Sequence, residues 1–462
     1  AFHQNTDAAL KNENLQAALR GMDQGLAEKR RNAIAALPNF QSLRDQAQQI
    51  KQHGLDHLDI YLEQFETNAQ AAGAVIHWAA DAKAANAIIL DLAKAQNAKL
   101  ITKGKSMASE EIGLNDALEQ AGYKVLETDL GEYIIQLRGE APSHIIAPAI
   151  HVLQSEIESL FKANHKDLDH ARKFDRGVDL VREARSVLRN QYQTAEIGIT
   201  GANFLIADTG QTVIVTNEGN GDLTQHNAKT HIVIAGIDKI VPSLEDAACL
   251  LRILARSATG QTMTSYNSFS LGSKRADDAD GPQQMHIILL DNGRTEMLSN
   301  EFKPMLQCIR CAACMNVCPV YESIGGHAYG WVYPGPMGSV LTPNFIGMDQ
   351  AHHLFNASSL CGRCAEVCPV KIPLPDLLRK WRIRADQAKN TPKTQRYGLK
   401  LWAFLASRPA LYHLAGRISA GLMRLPLFDP ILGMAAKGWL NHRNLARPRP
   451  RSFFDQYKAK MD

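Results

Sequence analysis

Seven of the eight cysteines fall between residues 308 and 368. The first group, Cys308-Ile309-Arg310-Cys311-Ala312-Ala313-Cys314-Met315-Asn316-Val317-Cys318-Pro319, is a complete C-x2-C-x2-C-x3-C-P run, the spacing with which bacterial ferredoxins hold cubane iron–sulfur clusters. Three thiols at two-residue intervals wrap one cluster on a tight turn, while the fourth points away and reaches the other cluster. Iron of this kind takes soft, deprotonated sulfur, and the proline after Cys318 turns the chain aside. Disulfides are the competing use of so many cysteines. The N-terminal AFHQNTDAALKNENLQ lacks the apolar core of an export signal, however, so a reducing compartment and metal ligation are expected. A zinc ribbon would pair two C-x2-C knuckles rather than set three cysteines in series.

The second group, Cys361-Gly362-Arg363-Cys364-Ala365-Glu366-Val367-Cys368-Pro369, has the same ending with only three cysteines, and Ser358 stands where a fourth would be expected. Crossing the ligands assigns Cys308, Cys311, Cys314 and Cys368 to cluster one and leaves Cys318, Cys361 and Cys364 for cluster two. Cluster one is thereby read as [4Fe-4S]. For cluster two three outcomes stay open: a [3Fe-4S] cluster, a [4Fe-4S] cluster completed by Ser358, or one whose last iron binds water or substrate. Cys249, in LEDAACLLRILARS, reads as a small buried residue of a helix. Between the groups lie 42 residues containing GGHAYGWVYPGPMGSVLTP, either a functional loop or a packed Gly/Pro segment that covers the clusters.

The elements that must position these residues follow from hydrophobic periodicity. Residues 1–70 read as peripheral helices without chemistry. Over 71–295 apolar runs such as AVIHWA, NFLIAD, TVIVTN, HIVIAG and MHIILLD alternate with amphipathic helices, which predicts an α/β sheet covered by helices. FLIADTGQTVIV reads as a tight hairpin inserted in that sheet, turning at Asp208-Thr209-Gly210-Gln211. Residues 296–378 form the cluster module, and 379–462 a helical tail interrupted by Pro409, Pro426 and Pro430.

The tail carries 18 Lys and Arg against 4 Asp and Glu, so the formal charge of +4 conceals an acidic body and a basic appendage. Arg408, Arg417 and Arg424 alternate with apolar residues, which predicts docking on an acidic partner, with an anionic membrane surface as the second reading. No recognition motif supports nucleic-acid binding, and no run of 18 uncharged apolar residues predicts a membrane span. The expected location is cytoplasmic, with peripheral contact at the inner membrane face as the variant.

Within 71–295 the richest polar loop is Thr216–Asp222 at a predicted strand end, where α/β ligand sites gather. Glu218 there, together with Lys103, Lys105 and Ser106 past another strand, and then Arg138 and His144, are candidates to meet an anionic substrate. Each has a bland counterpart, a solvated loop or a structural polar contact. The Gly104-Lys105-Ser106 triplet has Lys99 where a P-loop needs glycine, and Gly219-x-Gly221 is followed by Thr224, so no nucleotide or dinucleotide fingerprint is present.

The segments LQCIRCAACMNVCPVYESIGGHAYGWVYPGPMGSV and SSLCGRCAEVCPVKIPLPDLL resemble the lactate utilization protein B family. So do ITKGKSMASEEIGLNDAL, ETDLGEYIIQLRGEAPSHIIAPAIH, GITGANFLIADTGQTVIVTNEGNGDLT and YNSFSLG, and the resemblance runs from about residue 20 to 450. It implies a subunit of a three-component bacterial complex that oxidises L-lactate to pyruvate. The implied companions are a cysteine-rich protein like heterodisulfide reductase subunits and a smaller protein with the same lactate-utilization domain. For 71–295 it implies a fold like sugar-phosphate isomerases and CoA transferases. The two cysteine groups also resemble those of succinate dehydrogenase iron–sulfur subunits, whose deficient site is a three-iron cluster. Two functions of different class are thus expected: an electron relay within an oxidoreductase, or a non-redox ligand-binding or assembly subunit with structural clusters.

Overall fold

The structure is a computed structural model that describes residues 2–21, 23–425, 427, 440, 446–449 and 452–461. Ten strands are described: β1 (Ala74–Ala79), β2 (Leu100–Gly104), β3 (Lys124–Glu127), β4 (Ile197–Gly201), β5 (Phe204–Ile206), β6 (Gln211–Thr216), β7 (Thr230–Gly236), β8 (Ile240–Val241), β9 (Tyr266–Ser270) and β10 (Gln284–Leu290). Six of them make one sheet in the order β1-β10-β7-β4-β2-β3, parallel at every pairing. β7 is buried along its whole length, because a strand covered on both faces must be apolar on both. Alternation then divides its side chains. Ile232 and Ile234 pack with Ala85, Ile89 and Leu118 on one face, and Val233 and Ala235 with Leu58, Leu62 and Phe65 on the other.

The hairpin forms, with Phe204 opposite Val213 and Ile206 opposite Gln211, but it is not inserted in the main sheet. It belongs to a second sheet ordered β8-β5-β6-β9. The difference arises at Gly210, whose left-handed φ of 73° permits the turn and whose missing Cβ lets it lie against the backbone of Ala69. The hairpin is thereby drawn onto the helix Leu58–Ala71, where Asn68 Nδ2 donates to the carbonyl of Ala207 at 2.8 Å.

The 42-residue insert packs as core. It holds the helices Gly335–Ile346 and Met348–Asn356, and Gly335–Pro343 is buried throughout. Two of its tyrosines bond to the α/β domain: Tyr333 Oη donates to Glu111 Oε2 at 2.8 Å and Tyr321 Oη to the Ser143 carbonyl at 2.6 Å. Trp381 lies stacked on Phe302, ring centroids 4.1 Å apart, and its Nε1 donates to the Val340 carbonyl at 2.9 Å.

Residues Ala1–Ile383 form one compact unit and Arg384–Asp462 another. In the second, the helices Lys393–Ala406 and Pro409–Leu422 bury no residue and expose Tyr397, Trp402, Leu414 and Ile418. Pro409 opens its helix at the first turn, where a missing N–H costs nothing. Pro426 and Pro430 lie outside the described residues. No helix among the described residues is long and apolar enough to cross a membrane.

Candidate metal centre and adjoining cavity

A short 3-10 turn, Lys303–Gln307, delivers the chain to Cys308 in an extended conformation. Arg310 and Ala312 then adopt left-handed φ values of 59° and 60°, so the backbone doubles back at each cysteine interval. The result is one cavity lined by Cys308, Cys311, Cys314 and Cys368, with Met305, Ile309, Met337, Val370 and Ile372 filling in between. Backbone N–H groups aim at the sulfurs: Arg310 N lies 3.4 Å from Cys308 Sγ and Ile372 N 3.3 Å from Cys368 Sγ. Burial, together with the neighbouring thiolates of Cys368 and Cys308, pushes Cys311 up to about 12. Burial likewise raises Cys368 to about 11. Four sulfurs lining one cavity, with Cys311 and Cys368 buried, hold their anionic form only around a positive centre, which is the donor chemistry of an iron–sulfur cluster.

Cations surround that cavity. Arg30 Nη2 donates to the Val367 carbonyl at 2.8 Å, and Arg44 donates to the Cys368 carbonyl through Nε at 3.1 Å and Nη2 at 2.6 Å. Both come from the N-terminal helices, which were expected to carry no chemistry; instead they clamp the segment that bears Cys368. Lys51, Lys239 and Arg310 lie within electrostatic reach of Cys308.

The three remaining cysteines form a second group. Cys318 interacts electrostatically with Cys361, and Cys364 with both. Burial followed by Cys318 pushes Cys364 up to about 12. Cys361 is exposed. The charges Cys318 feels most are Cys361 and the Glu322 carboxylate. Cys314 also feels Cys364, so the two groups are neighbours. Ser358 accepts from the Leu360 N–H at 3.1 Å through Oγ, a local turn contact. Cys249 is buried on the helix Leu244–Ala258 and lines neither cavity described here.

A second cavity, of about 480 Å³, opens where the parallel strands end in their carboxyl termini, the place at which open α/β sheets bind ligands. Lys105 and Ser106 after β2, Asn203 after β4 and Lys239 after β7 line it, joined from the second sheet by Thr216 at the end of β6 and Glu218 just beyond. Lys105 Nζ pairs with Asp129 and, at 3.0 Å, with Glu218 Oε2. Ser106 caps the following helix, its Oγ accepting from Ser109 N at 3.2 Å.

Other candidates lie elsewhere. Lys103 does not line the cavity, and its fully buried ammonium is consumed by Glu110 at 2.6 Å and Glu127 at 2.8 Å, which corrects the expectation that it meets a substrate. Arg138 pairs with Glu140 at 2.9 Å. His144 accepts from the Ile146 and Ala147 N–H groups through Nδ1, each at 3.2 Å, so Nε2 carries the proton that bonds Asn316 Oδ1 at 2.9 Å. Burial lowers it to about 4, keeping it neutral.

Sequence reading missed the inner end of the cavity, where Lys239, Arg294, Arg310 and Tyr333 meet. Arg294 is held by Glu111, with both Nη atoms at 2.9 Å, and by Asp238 at 2.6 Å. Arg310 lies over the Tyr333 ring, 5.0 Å from its centroid. Arg310 stands inside the cysteine run itself, and Lys239 just past HIVIAG, so strand-end position was the available signal.

Residues 62–290 match the LUD domain, and residues 304–372 the 4Fe-4S dicluster domain. A lactate utilization protein B from Bacillus velezensis is 41% identical over 463 residues, covering 99% of this chain and 96% of the relative. One from Bacillus subtilis is 40% identical over 462 residues, with the same two coverages. Among solved structures, a DUF162 family protein from Deinococcus radiodurans aligns with 50% of this chain and 98% of its own at 17% identity, with a TM-score of 0.26.

Proposed function

Because the chain belongs to the lactate utilization protein B family, we propose that it is the iron–sulfur electron-transfer subunit of a multi-protein complex that oxidises L-lactate to pyruvate and passes electrons toward the respiratory chain. A part in lactate utilization and an iron–sulfur electron-transfer module come with the family and the dicluster domain. The observation that carries the finer reading is the convergence of Cys308, Cys311 and Cys314 with Cys368, from a separate segment, on one apolar cavity beside a second cysteine group. Bound clusters would each accept and give one electron. Lactate releases two electrons and two protons on becoming pyruvate, so two adjacent centres suit the load.

The chain's own residues do the rest. Cys308, Cys311, Cys314 and Cys368 would hold the first centre, and Cys318, Cys361 and Cys364 the second, as a [4Fe-4S] or [3Fe-4S] cluster. Met305, Met337 and Ile372 exclude water from the first. N–H donors at Cys308 and Cys368 and the cations around them stabilise added negative charge. The exposed apolar and basic helices of the second unit would meet an acidic face of a companion subunit. The test is anaerobic iron and sulfide analysis with paramagnetic resonance during dithionite titration. Two titratable signals are expected, and Cys368→Ser should disturb the one that Cys308→Ser disturbs. Redox-silent metal, or a Cys368 effect confined to the signal altered by Cys361→Ser, would overturn the reading.

A further inference from the structure

We propose that the inner end of the 480 Å³ cavity is a carboxylate-binding site for a small 2-hydroxy or 2-oxo acid, with Lys239 as its primary anchor and Arg310 as the second. The identity of the acid rests on the function proposed above; the existence of an anion site rests on geometry alone.

Four cations meet two carboxylates here, and three of the six charged groups are committed to one another. Arg294 is saturated by Glu111 and Asp238. Lys51, from the neighbouring helix Phe40–Asp56, donates to the carbonyls of Asp238 and Ile240 at 2.5 and 3.3 Å. Arg310 makes only a long 3.9 Å approach to Asp238 Oδ2 and a 3.4 Å contact with Met337 Sδ, leaving most of its guanidinium donors available. Lys239 makes no hydrogen bond or ion pair among the described residues, yet it lines the cavity. A half-buried ammonium without an acceptor is costly to hold. An arriving carboxylate supplies the acceptor that Lys239 lacks and a stronger one for Arg310 than the Met337 sulfur.

The cavity's other features fit the same guest. The Glu218 side chain is 60% exposed, whereas Arg310 is 9% exposed, so Glu218 with Lys105 marks the mouth and Arg310 the floor. The volume falls in the range of small-molecule sites, and a three-carbon acid fills only the inner part, the remainder serving as its approach. Arg310 lines both this cavity and the four-cysteine cavity, whereas Lys239 lines this one alone. Lys239 lies within electrostatic reach of Cys308 and yet lines this cavity rather than the cysteine cavity.

Equilibrium dialysis of anaerobically prepared, cluster-loaded protein against radiolabelled L-lactate and pyruvate tests this directly. Saturable binding with one site per chain is expected. Lys239→Gln should weaken it roughly 10- to 100-fold, the cost of one charge-assisted hydrogen bond, and Lys239→Arg should recover most of the affinity. Neutral lactamide should not compete. Iron content and the paramagnetic signals of each variant show that the protein is folded and loaded. Unchanged affinity in loaded Lys239→Gln, equal competition by lactamide, or no saturable binding of either acid would overturn the proposal. These outcomes leave the dithionite titration untouched, so failure of the anion site and failure of the electron-transfer reading are separately visible.

Discussion

Two cysteine groups share the ending C-x3-C-P and differ in almost everything around it. The first has four sulfurs in an apolar cavity ringed by Arg30, Arg44, Lys51 and Arg310. The second has three, with Cys361 exposed and a carboxylate, Glu322, facing Cys318. A motif therefore specifies donors, while the surrounding charge and dielectric specify what those donors do. The first group should favour an added electron; the second sits where solvent or a partner can reach it.

The strongest way to break the contrast is to remove the charge frame behind the first group. Arg294→Ala leaves Glu111 and Asp238 buried without the guanidinium that neutralises them, and urea unfolding should register a loss of about 3–5 kcal/mol. Ser358→Ala beside the second group, which removes one part-buried loop hydrogen bond, should cost about 1 kcal/mol or less by the same measurement. Arg44→Gln sharpens the contrast electrically. It should lower the midpoint potential of the signal lost in Cys308→Ser by on the order of 50–100 mV, the Coulomb energy of one charge at about 10 Å in an effective dielectric of about 20, and leave the other signal in place.

Acid should reach the scaffold of both groups through the sheet. Burial lowers His231 to about 3, and burial with the proximity of His77 lowers His286 to about 4. Unfolded, each titrates near 6.5, so the unfolded chain binds more protons between these values. Stability is complete above about pH 6.5 and falls as pH drops toward 4, by at most about 1.4 kcal/mol per pH unit and histidine. Urea midpoints of His231→Gln across that window should show a shallower pH dependence. The smallest effect belongs to Glu218→Gln at the cavity mouth, under about 1 kcal/mol by thermal unfolding, because its ion pair with Lys105 is largely solvated on the glutamate side.

Much of this was legible in the chain. Cysteine spacing is a local rule, so the expectation that Cys368 joins Cys308, Cys311 and Cys314 could be formed from the chain alone, and period-two apolar runs announced the strands. What stayed hidden was set by long-range packing. The hairpin joined another sheet because Gly210 fits against Ala69. Lys103 followed a strand as Lys105 does, yet it is buried between Glu110 and Glu127 while Lys105 reaches the cavity. Arg44 binds a carbonyl 324 positions away. Nothing in the helical periodicity around it distinguishes such a residue from a solvated surface charge.

Arg310 is a party wall. One guanidinium belongs to the chamber of the sulfurs and to the chamber at the sheet's edge, so neither side can change its charge privately. An electron stored on a cluster held by those sulfurs would make the same arginine a weaker host for an anion opposite, and by thermodynamic reciprocity an anion opposite would make that electron harder to store, by an equal free energy. At the proposed anion site, oxidised protein would then favour occupancy and reduced protein release, a bias carried by a single shared residue.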